Sequence, residues 1–136
     1  MRAHQTPSRH PQAPGSLDAP LLRAIEACHT CAEACITCAD AGLDDAAASL
    51  ARCIRLALDC ADACATTGPA LARRTAANAA LLRQMAETCA ELCQACAAEC
   101  DRHALEHEEC RLCAEACRAC ESACREAAMS LGATGP

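Results

Sequence analysis

The segment from Glu109 to Cys124, ECRLCAEACRACESAC, sets Cys110, Cys113, Cys117, Cys120 and Cys124 at alternating steps of three and four. Such steps return a side chain to one face of an α-helix, so the run carries a stripe of thiols. Two other segments repeat the pattern, Cys28, Cys31, Cys35 and Cys38, and Cys89, Cys93, Cys96 and Cys100; a third, with Cys53, Cys60 and Cys64, is thinner, and Ala57 fills the gap in the same stripe. Thiolate is a soft ligand that selects Cu(I), zinc or iron–sulfur clusters. One CxxC would say little. Five CxxC and six CxxxC units, phased onto continuous helices, point to a multi-metal thiolate core.

A single buried cysteine is ordinarily an inert small hydrophobe. Leu or Ile would bury more apolar area without the risk of oxidation, so stability alone does not select sixteen thiols. Charge then discriminates between metals. Filling the stripes with closed zinc sites of four thiolates would leave about eight negative charges in a low-dielectric interior, and no Arg lies on a stripe to offset them. Each Cu(I) that replaces a thiol proton leaves the charge unchanged, so loading near one ion per cysteine keeps the core close to neutral. A zinc or cadmium thiolate buffer is the alternative. The Cys28, Cys31, Cys35 spacing misses the ferredoxin run and its following proline. A dithiol oxidoreductase needs a βαβ context and one reactive pair, so a non-enzymatic role is expected.

The elements that must position these thiols are four helices. A chain of 136 residues suits one domain, and without Phe, Tyr or Trp its interior must be built from Ala, Leu and Cys. Residues 1–17, rich in Pro, read as a disordered tail; 18–132 form the bundle; 133–136 are a C-terminal tail. Ser16 or Asp18 caps the first helix, which is expected to run to about Ala41 before Gly42. Asp44 or Asp45 caps the second, expected to reach about Thr67 and stop at Gly68-Pro69. Thr75 or Asn78 starts the third, lasting to about Arg102, and HALEH leads into a fourth that ends near Gly132. Short links predict an all-α, antiparallel up-down-up-down four-helix bundle with a cysteine-lined core. Charged residues including Arg55, Asp59, Glu91, Glu99 and Arg118 fall off the stripes, and no segment suggests a strand.

Other functions find little support. Net charge is −6, the basic residues are all Arg and form no long run, and no aromatic is present to stack on bases, so no nucleic-acid partner is expected. Charged residues interrupt every apolar segment, which argues against a membrane span. The first residues show no secretory signal, so the protein is expected to be cytoplasmic. His103 and His107 fall at the end of the bundle that holds Cys38, Cys53, Cys100 and Cys110, and imidazole suits copper. Met85, four residues before Cys89, is a candidate thioether ligand that could close the opposite end with Met129. His4, His10 and His29 read as solvated.

The stretches EACHTCAEACITCAD, RCIRLALDCADAC, CAELCQACAAEC and CRLCAEACRACESAC closely resemble those of the bacterial copper storage proteins. The likeness covers about residues 18 to 130 and every cysteine. It implies a four-helix bundle storing many Cu(I) ions, assembly as a homotetramer, and a mouth flanked by histidines, which gives His103 and His107 a role in guiding metal inward. Exported members carry a twin-arginine signal, so the chain resembles the cytosolic branch. Ala41, Ala57 and Ala86 stand where a richer stripe could hold Cys, so ion count and cluster geometry do not transfer.

Overall fold

The computed structural model describes residues 17–44 and 48–134. Helix α1 spans Ala19–Asp44, α2 Ala51–Leu71, α3 Ala79–Asp101 and α4 Glu108–Thr134, with a 3-10 turn at Ala48–Leu50 before α2. Around the bundle α1 packs on α2 and α4, while α3 packs on the same two. Sulfur contacts fix the directions. Cys28 meets Cys124 at 3.7 Å and Cys38 meets Cys110 at 3.9 Å, so α1 and α4 run opposite ways. Cys53–Cys100 at 3.6 Å and Cys64–Cys89 at 3.7 Å do the same for α2 and α3. The up-down-up-down bundle expected from short links is the fold found, and the described residues contain no strand.

Caps and glycines differ in part from expectation. The Asp18 carboxylate accepts the Leu21 N–H at 3.1 Å, satisfying one of the orphan donors of α1. Ser16 and Asp45 lie outside the described residues. Gly42 does not end α1: it is buried in the last turn, where an added Cβ would lie 2.9 Å from Ile54 Cγ1. Gly68 and Pro69 do not stop α2 either, because the helix continues to Leu71. Gly68 serves close approach, since a Cβ there would sit 3.1 Å from Cys28 Cβ on α1. Replacing Gly68 with Val should lower stability by about 2–3 kcal/mol by wedging α1 from α2; urea denaturation of the apo protein measures it. Thr75 and Asn78 both act before α3: the Thr75 N–H donates to Asn78 Oδ1 at 2.8 Å, and the Asn78 N–H donates to Thr75 Oγ1 at 3.3 Å. Helix α4 runs past Gly132 to Thr134.

The core has two parts. Along most of its length the interior is thiol, flanked by buried Ala32, Ala39, Ala61, Ala90, Ala97 and Ala114. Alanine beside each stripe lets neighbouring backbones approach, which narrows the bundle until opposed sulfurs touch. Leu21, Leu71, Leu82 and Leu131 fill the other part, with Ala24, Ala70, Ala79 and Ala127. This apolar plug closes the end of the bundle beyond Cys28 and Cys124. Among the described residues no helix is long and apolar enough to cross a membrane.

Candidate metal centre

All sixteen cysteines are buried and free. They form one connected stack. Cys60 meets Cys93 at 3.6 Å and Cys31 at 4.0 Å, while Cys117 lies 3.7 Å from Cys31, 3.8 Å from Cys35 and 4.0 Å from Cys60. Nearer the plug, Cys120 lies 3.8 Å from both Cys28 and Cys64. Nearer the other end, Cys113 reaches Cys35 at 3.7 Å and both Cys96 and Cys117 at 4.0 Å. Sets of four sulfurs, including Cys28, Cys89, Cys120 and Cys124, and Cys35, Cys96, Cys113 and Cys117, lie within 4.8 Å of one another. Two sulfurs bonded to one ion at about 2.3 Å, the zinc–thiolate length, stand at most about 4.6 Å apart. The stack can therefore bind metal with little backbone movement.

The mouth is the end with Cys38, Cys53, Cys100 and Cys110. Three of these retain slight exposure, Cys38 at 3 % and Cys53 and Cys110 at 2 %. Ala57 and Ala86 are fully buried within the stripes, so α2 carries no thiol between Cys53 and Cys60; Ala41 is half-buried instead.

Thiol protonation follows burial and mutual hydrogen bonding. At Cys110 burial is the leading cause and pushes the thiol up to about 12. Cys35 and Cys93 are also pushed up, first by hydrogen bonds with Cys113 and Cys117 respectively. Cys28 is pulled down to about 5 because Cys120 and Cys124 hydrogen-bond to its sulfur, and Cys53 to about 3 by Cys100 and then Cys38. Protons are thus shared along the stack, with some sulfurs acting as acceptors for their neighbours.

The candidate ligands other than cysteine separate by position. His103 and His107 stand at the mouth with ring centroids 6.5 Å apart. His107 Nδ1 lies 3.4 Å from a Glu109 carboxylate oxygen. His29 is exposed and pairs with Glu33 at 3.6 Å. Met85 is half-buried against the leucine plug and lines a groove of about 670 Å³ with Cys89, Asp62 and Thr88. Met129, which the sequence placed beside it as a closure, is 74 % exposed; leucines close that end.

Glu99 escaped the sequence reading. It was assigned to the charged surface, yet it is 7 % exposed. Its carboxylate contacts Arg52 Nε from α2 at 3.4 Å and His103 Nε2 at 3.1 Å. The signal that could have found it is its position four residues before His103 and next to Cys100.

Fold and site together define a thiol-lined four-helix bundle built to hold soft metal ions. The profile of the copper storage protein family matches residues 18–129, and the chain belongs to that family. A cytosolic copper storage protein from Streptomyces lividans, in a structure of its copper loading with five coppers, is 49 % identical; the match covers 81 % of this chain and 92 % of that one, with a TM-score of 0.78. The structure of the Streptomyces lividans protein loaded with 10 copper equivalents aligns at 47 % identity over 88 % of this chain and 92 % of that one, TM-score 0.82. Apo copper storage protein 3 from Bacillus subtilis is 36 % identical over 78 % of this chain and 96 % of that one, TM-score 0.67. Comparison with curated protein sequences gave no match.

Proposed function

We propose that the chain stores Cu(I), up to about one ion per cysteine, on Cys28, Cys31, Cys35, Cys38, Cys53, Cys60, Cys64, Cys89, Cys93, Cys96, Cys100, Cys110, Cys113, Cys117, Cys120 and Cys124. The observation that carries this is the unbroken stack of buried sulfurs, most with a neighbour at 3.6–4.0 Å, and, among the described residues, with no buried cation beside them to balance divalent thiolate sites. His103 and His107 pass metal in at the mouth, and Met85 offers a thioether beside Cys89. The process has no catalytic turnover: protons leave as copper enters. A cytosolic location follows the Streptomyces lividans relative described as cytosolic.

Proton release gives a sign that can be tested. Cys110 holds its proton up to about pH 12, so Cu(I) must displace it throughout the physiological range. Apparent affinity at Cys110 should therefore rise with pH, about tenfold per unit for the proton it gives up, whereas Cys53, pulled down to about 3, has none to release in this range. Competition against a chromophoric Cu(I) chelator of known pH dependence, at pH 6.5 and 8.5, measures the slope. A flat profile would mean that the binding thiols are already ionised.

Assembly as a homotetramer is part of the same proposal. Ile36, Leu58, Leu81 and Leu112 are exposed by 45–63 %, which supplies apolar surface for subunit contacts. Sedimentation equilibrium should give four times the 14.1 kDa chain mass.

A further inference from the structure

Burying a carboxylate is costly unless every oxygen is partnered. Glu99 meets that condition at the mouth of the bundle. Arg52 Nε approaches one oxygen at 3.4 Å and His103 Nε2 the other at 3.1 Å, with the Glu99 and His103 side chains only 8 % and 11 % exposed. An ionised carboxylate has no proton to donate, so the Nε2–H of His103 is the donor, and a ring in that tautomer carries its lone pair on Nδ1. A carboxylate on the far nitrogen also fixes the orientation of an imidazole and raises its basicity as a ligand. The exposed pair His29–Glu33 has the same spacing of four residues but sits at 3.6 Å, with side chains 78 % and 72 % exposed. Solvation leaves that pair with little hold on its ring.

We propose that Glu99 is a positioning residue for metal uptake: braced by Arg52, it holds His103 in the Nε2–H tautomer so that Nδ1 can bind Cu(I) arriving at the mouth. The adjacent residue, Cys100, lies 3.6 Å from Cys53, so an ion released by the imidazole has a thiol pair close at hand. The assignment rests on the copper-storage reading and gives this buried acidic side chain a defined task. Glu99 touches no ion itself. Its effect should appear in the rate of uptake and not in the number of ions held.

The test is stopped-flow transfer of Cu(I) from a chromophoric chelator complex to the anaerobic, reduced full chain, with capacity measured on the same samples. Glu99→Gln should slow uptake about tenfold and leave ions bound per chain unchanged. Arg52→Ala, which keeps the carboxylate but removes its brace, should slow it about two- to threefold and covers the case in which the first variant folds poorly. His103→Ala should be slow, and adding Glu99→Gln to it should cause no further loss, because the carboxylate acts through that ring. Nitrogen-15 imidazole spectra of the apo protein should show His103 protonated on Nε2, with that preference lost in Glu99→Gln. Wild-type uptake rates in Glu99→Gln, equal further slowing in the His103→Ala background, or an Nδ1–H tautomer in the wild type would each overturn the proposal. Failure of the wild type to take up Cu(I) would instead overturn the storage reading beneath it.

Discussion

Saturation with Cu(I) should raise the thermal midpoint by about 30 °C or more while leaving the far-ultraviolet circular dichroism spectrum nearly unchanged. A ligand that binds only the native state at a thousand times its Kd adds about 4 kcal/mol, so a few ions already exceed the entire stability of an ordinary domain. The spectrum should stay constant because the helices do not wait for metal. Asp18 caps α1, alanines pack the flanks, and the leucine plug forms an apolar core without a ligand. In this the bundle differs from a zinc finger, whose fold appears with its ion. Thermal scans of apo and loaded protein, with spectra recorded before and after loading, check both parts. A large gain of helix on loading would mean that the stack is assembled by copper.

Removing the central layer should cost more capacity than its own four sulfurs. Cys31, Cys60, Cys93 and Cys117 take part in overlapping groups: Cys31 and Cys60 close one set with Cys64 and Cys93 and another with Cys35 and Cys117. A fourfold replacement of this layer by alanine should therefore reduce bound Cu(I) to about half of the wild-type number, because neighbouring thiols lose shared ions. Each lost sulfur should also cost about 1 kcal/mol of apo stability through the void it leaves. Cys110→Ala at the mouth is the control, expected to remove about one ion. Anaerobic titration of purified variants gives the counts. Equal loss per cysteine in the layer and at the mouth would show that the thiols bind independently.

Much of this arrangement was legible from spacing alone. A run of threes and fours among cysteines fixes both helix and face, so the four stripes and the antiparallel bundle follow from local sequence. Glycine was harder. Gly42 and Gly68 carry the signature of helix ends, yet both are buried inside helices because Ile54 and Cys28 from neighbouring elements need the space of a missing side chain. That requirement is tertiary, and no local pattern encodes it. Met129 is a candidate to close the end with Met85, but the leucines of the plug fill that end and leave it in solvent. Glu99 was misassigned because charge usually marks the outer face; its burial depends on Arg52 arriving from another helix.

The most direct test of copper storage counts ions. Reduced apo protein is titrated anaerobically with Cu(I) against a chromophoric chelator, and in parallel with zinc and cadmium. Buried thiols that exchange protons for univalent ions should hold close to one Cu(I) for each of the sixteen cysteines and bind the divalent metals only partially. Saturation near four zinc or cadmium ions with little uptake of Cu(I) would contradict it.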